Sequence, residues 1–193
     1  MSNYMQTYTG KLFNVLDPDP DSICVKDIAH SLSLMCRYGG HCRFFYSVAQ
    51  HSLLCKEFAE RVGYDTRIQT LALLHDTAEA YVSDMIRPIK TSFPEFEVVE
   101  EKVHSAILWA LAVDTPTPDE MKIVSCIDDC LLDIEMGVIM GRPLLLDTFT
   151  DHASEEALVI ASKIKEREPS EVEQEFAMAV KRLFFGDFYD TAK

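Results

Sequence analysis

The chain has 193 residues, a net charge of −14 and a hydrophobic fraction of 48%. This hydrophobic fraction excludes a disordered tail, and the length suits one domain with a sizeable core. The acidic balance argues against a nucleic-acid polymer as partner, because most of the surface would repel a polyanion. We therefore expect a single domain over residues 1–193, in which a small anionic ligand could still bind where local cations offset the field.

The hydrophobic pattern predicts helices along nearly the whole chain. Residues 8–13 alternate weakly, which allows a short hairpin before the Asp- and Pro-rich breaker at 17–21. Good N-caps at Asp65 or Thr66, and prolines at several predicted helix starts, set the boundaries. The predicted helices cover residues 25–36, 47–63, 65–81, 94–111, 118–140, 154–165 and 169–185, with a connection at 83–90. The expected fold class is all-α with a short N-terminal hairpin.

The cysteines and the chain's apolar runs bear on its location. The six cysteines include no Cys-x-x-Cys pair and lie mostly in apolar helical stretches, so we expect reduced thiols rather than a disulfide scaffold. No signal-peptide pattern opens the chain, and no apolar run approaches the roughly 20 residues needed to span a bilayer. The sequence therefore predicts a cytoplasmic protein with no membrane partner.

An adjacent pair, His75-Asp76, closes the apolar run 71–74, where plain core residues would be expected. Burying an imidazole beside a carboxylate costs roughly several kcal/mol unless the groups are paired or coordinate a cation. His51 lies on an earlier amphipathic stretch and Asp128 on a later one. Three packed helices could therefore direct two imidazoles and two carboxylates to one point. Such a shell suits a divalent transition metal such as zinc, manganese, cobalt, iron or nickel.

The metal-ligand assignment requires a choice between Asp128 and its neighbour Asp129. Asp128 borders an apolar stripe at helical spacing, whereas Asp129 turns outward. A single histidine on an amphipathic helix is more often a structural or solvated residue than a ligand. The combination of His51 with the His-Asp pair and Asp128 favours ligation. Three other histidines are expected to be solvated, namely His30, His104 and His152.

The order His, then His-Asp, then a distant Asp resembles the HD-domain metal-dependent phosphohydrolases. Further blocks at residues 31–41, 45–52 and 72–81 look like the small nucleotidase branch of that superfamily. This branch includes bacterial 5′-deoxynucleotidases, prophage-encoded relatives and phage deoxyadenosine triphosphatases. The resemblance covers roughly residues 7–135. It implies an HD-domain helical bundle, a divalent metal with magnesium as a possible second ion, a nucleotide substrate and a homo-oligomer.

The resemblance also assigns roles to carboxylates around the metal. Glu79 would activate the attacking water or protonate the leaving oxygen, and Asp84 would contact the sugar or a second metal. On a continuous helix Glu79 would share a face with His75, which suits the first role. In the family pattern the ligand Asp is followed seven residues later by a Glu, which again indicates Asp128 rather than Asp129. The Glu of this pattern is Glu135, which would orient a partner such as an Arg. A solvated surface carboxylate is the structural alternative for Glu79 and for Asp84.

Cations near the predicted site are candidates for holding the phosphate. Arg37 would clamp it, because a planar guanidinium offers two parallel donors, although it could be only a solvated cation at a helix end. Arg87 and Lys90 are weaker candidates that could equally lie in a solvated loop. Tyr38 could stack on the base. His41 falls in a matching block but could simply bond the neighbouring glycine turn.

The expected activity is metal-assisted hydrolysis of a phosphoester, most simply release of phosphate from a deoxynucleoside 5′-monophosphate. A triphosphate adds negative charge to an already acidic protein, which disfavours it as a substrate. Arg87 and Lys90, together with the carboxylates Glu79 and Asp84, could nevertheless bind the additional phosphates in a dNTP triphosphohydrolase. Cleavage of a phosphodiester and a non-catalytic metal-binding scaffold or sensor are the other possibilities. A structural metal site needs no surplus polar groups, which argues against the scaffold.

Overall fold

A computed structural model describes residues 3–143 and 150–185 of the chain. It opens with an antiparallel hairpin of β1 (Tyr4–Gln6) and β2 (Leu12–Asn14). The helices that follow are α1 (Val25–Leu34), α2 (Val48–Arg61), α3 (Thr66–Leu74), α4 (Glu79–Val82), α5 (Arg87–Lys90), α6 (Pro94–Ala110), α7 (Pro118–Val138), α8 (Asp151–Lys163) and α9 (Pro169–Phe185). Short 3-10 turns lie at Pro20–Ser22 and Tyr38–Gly40. The prediction of an all-α fold with a short N-terminal hairpin is confirmed.

Local capping signals account for several of the helix starts. Ser47 and Gln50 form a reciprocal capping box at the start of α2, and Thr117 and Glu120 form another at α7. The side chain of Asp65 accepts a hydrogen bond from the first turn of α3. A proline in the first turn of α6 and of α7 needs no amide hydrogen there. The predicted helix starts at these positions are therefore confirmed.

The predicted continuous helix over residues 65–81 is wrong. The structure ends α3 at Leu74 and begins α4 at Glu79, with a tight turn between them. In this turn the backbone N–H of Thr77 donates to the carbonyl oxygen of Leu74 at 3.1 Å, an i→i+3 bond tighter than the α-helical one. His75 and Asp76 therefore lie in the turn rather than inside a helix.

Side chains that compete for backbone carbonyls explain why the helix breaks there. The hydroxyl of Thr77 donates to the carbonyl oxygen of Leu74 at 2.6 Å, and Nδ1 of His75 lies 2.8 Å from the carbonyl oxygen of Ala72. These bonds replace helical ones at the end of α3. As a result, the prediction that Glu79 shares a helical face with His75 no longer holds, and the position of Glu79 follows from the turn.

The segment between α1 and α2 also departs from the predicted pattern. Helix α1 ends at Leu34 rather than at Cys36, because Cys36 pairs with Ser47 in an isolated antiparallel bridge. The backbone N–H of Arg37 donates to the carbonyl oxygen of Tyr46 at 2.9 Å. We call residues 36–42 the Arg37 loop. The predicted connection at 83–90 contains the short helix α5.

Helix α2 occupies the centre of the packing, in contact with α1, α3, α7, α8 and α9. Val48 and Ala49 belong to a hydrophobic cluster shared with α1 and α9, whereas Cys55 and Phe58 belong to a second cluster shared with α7 and α8. Apolar burial on both sides stabilises α2 in a fixed orientation. His51, fully buried on this helix, is held between the two clusters.

None of the helices in the described ranges is both long and apolar enough to cross a bilayer. The prediction of one domain over residues 1–193 stays a prediction, because residues 1–2, 144–149 and 186–193 lie outside the described ranges.

Candidate active site

The structure brings the four predicted metal ligands together at one point. Helix α2 supplies His51, the turn after α3 supplies His75 and Asp76, and α7 supplies Asp128. Nε2 of His51 lies 3.3 Å from Nε2 of His75 and 3.1 Å from Oδ1 of Asp128. Oδ2 of Asp76 lies 3.2 Å from Nε2 of His75 and 3.6 Å from Nε2 of His51. Because ligands bound to one ion at about 2.1 Å lie roughly 3 to 3.5 Å apart, this spacing suits a shared cation.

Both imidazoles are oriented by a hydrogen bond at the ring nitrogen that faces away from this point. Nδ1 of His75 donates to the backbone carbonyl of Ala72 at 2.8 Å, and Nδ1 of His51 lies 2.6 Å from Oε1 of Glu135. A proton held on each Nδ1 leaves the lone pair of each Nε2 free to bind a cation. The outer hydrogen bonds therefore select the ring form that a metal ligand requires.

Interactions between the acidic and the imidazole side chains shift the pKa values of Asp128 and His75. Burial by itself would raise the pKa of Asp128, but hydrogen bonds to the two histidines hold that pKa well below its ordinary value. Burial would lower the pKa of His75, but the charge of Asp76 and a hydrogen bond to Asp128 raise it well above its ordinary value. The carboxylates thus favour positive charge at the centre of the cluster, and a divalent cation supplies such charge.

A second set of donors shares the same imidazoles. His51, Cys55 and His75 form a group that could hold a metal ion. Sγ of Cys55 lies 3.4 Å from Nε2 and 3.9 Å from Nδ1 of His51, so it sits over the face of the ring. The lone pair of Nε2 points away from Nδ1, so a ligand atom in line with it would lie much farther from Nδ1 than from Nε2. The Sγ of Cys55 is nearly as close to Nδ1 as to Nε2 and is therefore not in line with that lone pair. The geometry therefore favours Asp76 and Asp128 as partners of the imidazoles. The spacing of Cys55 four residues after His51 was the available sequence signal for this contact.

Glu135, fully buried on α7, connects the imidazole of His51 to the Arg37 loop. Its carboxylate accepts hydrogen bonds from the hydroxyls of Tyr38 at 2.5 Å and of Tyr46 at 2.8 Å. Nε of Arg37 lies 3.3 Å from Oε2, in a geometry that makes an ion pair but no hydrogen bond. Burial would raise the pKa of Glu135, but the charges of His51 and Arg37 lower it to about 2. The sequence had suggested only that Glu135 orients an Arg, and it gave no signal for Tyr46.

We expect Glu135→Gln to lower the free energy of unfolding of the metal-free protein by about 3–5 kcal/mol. Glutamine preserves the shape but leaves the buried guanidinium of Arg37 without its full countercharge. Urea denaturation followed by circular dichroism measures this change. Glu57→Gln is the matched control, because Glu57 pairs with Arg61 near the surface and such pairs contribute about 0–1 kcal/mol. Equal losses in the two variants would contradict a special role for the buried carboxylate.

A cavity of about 280 Å³ opens beside the four converging groups. Its polar lining consists of Arg37, Tyr38, Asp76, Glu79, Asp84, Arg87, Lys90 and Asp128, and apolar residues such as Met85, Ile86, Leu132 and Met136 complete it. A larger cavity of about 780 Å³ between α2 and the segment after α8 is lined by none of the predicted site residues. The smaller cavity, which we call the cleft, is therefore the candidate substrate site. The exposed His41 does not line it.

Glu79 is buried and Asp84 is half-buried, and both line the cleft. Glu79 is only 6% exposed, and its Oε2 has no hydrogen-bond partner among the described residues. Burial raises the pKa of Glu79 well above its ordinary value, and the charges of Asp76 and Asp84 raise it further. Burial also raises the pKa of Asp84. The protonated form of Glu79 is therefore favoured. The alternative of a solvated surface carboxylate does not hold for the buried Glu79, and Asp84 is only partly exposed.

Arg37 is buried beside the cleft rather than solvated at a helix end. Its Nη1 lies 3.3 Å from Oδ2 of Asp76, and its guanidinium lies over the ring of Tyr38. Burial would lower the pKa of Arg37, but the charges of Glu135 and Asp76 raise it well above its ordinary value. The guanidinium is therefore a fixed positive charge at the cleft, already shared with two carboxylates.

The two weaker cation candidates are also paired with carboxylates. Arg87 contacts Oδ2 of Asp128 at 2.8 Å and Oδ1 of Asp129 at 2.7 Å, although its side chain is 56% exposed. Lys90 forms an ion pair with Glu100. Asp129 turns toward the surface, whereas Asp128 faces the histidines. Arg87 and Lys90 both lie in the short helix α5 and form ion pairs, so the alternative of two solvated loop residues is wrong.

No model of a known protein family matches this chain. The chain is similar to the uncharacterized protein YfdR of Escherichia coli strain K12, with 38% identity over 106 residues that cover 54% of this chain and 56% of YfdR. It is also similar to an uncharacterized protein of Rhodobacter capsulatus, with 32% identity over 124 residues that cover 62% of this chain and 63% of that protein. The chain thus spans less than two thirds of the length of either relative, and its activity, substrates and partners are matters for proposal.

Two of the three histidines that were predicted to be solvated, His30 and His104, have partners within the protein. The prediction that His104 is solvated is wrong. Its Nε2 lies 3.1 Å from the carbonyl oxygen of Leu74, at the end of α3, and burial lowers the pKa of His104. His30 is also paired, with its ring stacked on Tyr8 and its Nδ1 3.0 Å from Glu173. His152 is exposed, as predicted. His104 thus supports the turn that carries His75 and Asp76.

Proposed function

We propose that the chain is a metal-dependent phosphohydrolase of the HD-domain type that acts on deoxynucleotides, most simply a 5′-deoxynucleotidase that releases phosphate from deoxynucleoside monophosphates. One observation carries this proposal. Nε2 of His51 and of His75 converge with carboxylate oxygens of Asp76 and Asp128 at the edge of a cleft that holds further polar groups. A structural metal site would need no such additional groups.

The donor set fits a divalent transition metal. His51, His75, Asp76 and Asp128 would hold it, and two neutral imidazoles with two carboxylates would balance its charge. Zinc, manganese, cobalt, iron and nickel all accept nitrogen and oxygen ligands, and magnesium would suit only an oxygen-rich second position. When bound, the metal supplies Lewis-acid activation of a phosphoryl oxygen and of water.

Glu79 would transfer a proton in this reaction. Its carboxyl is buried, lines the cleft and has a pKa raised well above the ordinary value, first by burial and then by Asp76 and Asp84. A protonated Oε2 can donate to the 5′-oxygen of the leaving nucleoside, which would otherwise depart as a strongly basic alkoxide. Asp84, also in the cleft, can accept a hydrogen bond from the sugar.

The size and charge of the cleft favour a monophosphate over a triphosphate. Its volume of about 280 Å³ lies at the small end of ligand cavities, which typically span about 300–1,000 Å³. Four acidic side chains line it, of which Glu79 is the one expected to be protonated, and each of the three cations Arg37, Arg87 and Lys90 is already paired with an acid. A triphosphate would have to displace these pairs to gain countercharge. A triphosphate is the second candidate substrate, because Arg87 and Lys90 line the cleft.

Product identity tests the proposal. The purified protein is incubated with dAMP, dATP and a cyclic nucleotide, with Mn²⁺, Co²⁺ or Mg²⁺ in turn, and the products are resolved by chromatography. Orthophosphate and deoxyadenosine from dAMP, lost on addition of a chelator, would support the monophosphatase. Inorganic triphosphate with deoxyadenosine from dATP would replace it with the triphosphohydrolase. Bound metal without hydrolysis of any substrate would favour the scaffold.

We expect Arg37→Lys to lower kcat/KM for dAMP by about tenfold to a hundredfold while metal content stays unchanged. A point-charge ammonium cannot reproduce the planar donors of a guanidinium held between Asp76 and the phosphate. Steady-state kinetics with elemental analysis measures both quantities. Arg43→Lys is the matched control, because Arg43 is exposed and lies outside the cleft. If Arg43→Lys alone lowered kcat/KM, the phosphate contact would have to be reassigned.

A further inference from the structure

Two cysteines stand at the two ends of the Arg37 loop. Sγ of Cys36 lies 3.3 Å from Sγ of Cys42, and both residues are partly exposed. The Sγ of Cys42 also approaches the backbone carbonyl oxygen of Arg37 at 3.8 Å. All six cysteines are free thiols in the structure. The two sulfur atoms are therefore in contact across the base of a loop that carries two residues of the cleft.

Contacts outside the loop hold these two ends together. Cys36 is fixed by its bridge to Ser47, and the N–H of Arg43, directly after Cys42, donates to the carbonyl oxygen of Ile139 at 3.3 Å. A disulfide bond is about 2.0 Å long, so the sulfur atoms would need to approach by only roughly 1.3 Å. Such a small approach is within reach of side-chain rotation and a slight movement of the loop backbone.

We propose that Cys36 and Cys42 form a redox modification site, in which a hydroperoxide converts the two thiols to a disulfide. The thiolate of one of the two cysteines attacks the peroxide oxygen, breaks the O–O bond and becomes a sulfenic acid as an alcohol, or water, leaves. The thiol of the other cysteine then displaces water from that sulfur. The two thiols lose two electrons and two protons in total, the peroxide takes both electrons, and a dithiol reductant reverses the change.

Burial raises the pKa of Cys42, and the hydrogen bond with Cys36 raises it further. The thiolate is the form that reacts with a peroxide. Because the two sulfur atoms are in contact, either thiolate can attack the peroxide and the other sulfur can then close the disulfide.

A second cysteine pair provides an internal comparison. Cys126 and Cys130 stand one turn apart on α7, with Cys126 exposed and Cys130 partly buried. Side chains four apart on a helix have Cβ atoms about 5–6 Å apart, whereas a disulfide requires about 3.5–4.5 Å. Closing this pair would distort α7, so it should stay reduced under conditions that oxidise the loop pair.

The disulfide has a consequence for the cleft that rests on the proposed function. Arg37 directly follows Cys36, and its guanidinium contacts Asp76 in the cleft. Drawing the loop ends together would shift this side chain, whereas the four metal ligands lie on α2, α7 and the turn after α3, outside the loop. Oxidation is therefore expected to weaken substrate use without removing the metal.

The test begins with the wild-type protein, treated with hydrogen peroxide and alkylated before digestion with trypsin. Trypsin cuts after Lys26, Arg37 and Arg43, which places Cys36 and Cys42 in separate peptides of residues 27–37 and 38–43. Mass spectrometry should find these two peptides cross-linked, and a dithiol reductant should release them. Trypsin does not cleave between Arg142 and Pro143, so Cys126 and Cys130 lie together in the peptide of residues 123–163, which should remain fully alkylated. Uncross-linked loop peptides, or a disulfide confined to residues 123–163, would overturn the proposal.

Variants and kinetics separate the modification site from the proposed function. Cys42→Ser should abolish the cross-link, whereas the double variant Cys126→Ser/Cys130→Ser should retain it. In the oxidised wild type, kcat/KM for dAMP should fall roughly tenfold to a hundredfold and recover on reduction, with metal content unchanged. If the reduced protein hydrolyses no nucleotide, the proposed function fails while the mapped cross-link still stands. A cross-linked protein with unaltered kinetics would overturn the effect on Arg37.

Discussion

Asp128→Asn is expected to lower metal affinity at least about 100-fold and to abolish phosphate release. Asp128 contributes a charged oxygen 3.1 Å from Nε2 of His51, and asparagine replaces that charge by a neutral amide of the same shape. Changes to groups that merely support a metal ligand already cost about 10–100-fold in affinity, so loss of a ligand charge should cost more. Elemental analysis after dialysis against a metal buffer, together with phosphate release from dAMP, measures the effect.

The neighbouring residue provides the control for this substitution. Asp129→Asn makes the same chemical change one position along α7, where the carboxylate is 56% exposed and pairs with Arg87. Such a pair contributes about 0–1 kcal/mol to stability, and Asp129 turns away from the histidines, so metal content and turnover should match the wild type. The assignment of Asp128 would be withdrawn if the two variants lost metal to the same extent.

Glu79→Gln is expected to keep the metal but to lower kcat by roughly two to four powers of ten, the usual scale of general acid or base catalysis. The amide preserves the packing of a side chain that is only 6% exposed but removes its transferable proton. A variant with normal metal content, a similar KM and a much lower kcat would show that the lost step is proton transfer. Stopped assays over long incubations allow such low rates to be measured.

The control for this variant is Glu101→Gln, on the exposed side of α6. It makes the same change of a carboxyl group to an amide as Glu79→Gln does, but leaves the cleft untouched. Its kcat should equal that of the wild type. A near-normal kcat in Glu79→Gln would reduce Glu79 to a packing residue and assign the proton to Asp84 or to solvent.

Local chemistry made most of the helices predictable from the sequence. Helix α9 was predicted over the same residues that the structure shows, and α6 and α7 with the same first residues, because prolines and capping residues specify a helix start. The pairing of Asp128 with the histidines was also predictable, since the apolar stripe of α7 places that residue at the edge of the buried face.

Side-chain bonds to the backbone, and contacts between distant parts of the chain, were not predictable in this way. The break at His75 depends on side chains that bond to backbone carbonyls of α3, a competition that hydrophobic periodicity does not report. The hydrogen bond from Tyr46 to Glu135 joins residues 89 positions apart, and nothing in either local sequence specifies the other. The charges near Arg37 likewise become paired only when α7 and the turn after α3 meet at the loop.

The convergence of ligands from separate elements has a thermodynamic consequence. His51 on α2 and Asp128 on α7 meet only after the helices have packed, so the unfolded chain contains no complete site. Any cation that binds the cluster therefore binds the native state selectively, and its binding free energy adds to the free energy of unfolding. The supply of a suitable metal would then help to determine how much of this protein is folded.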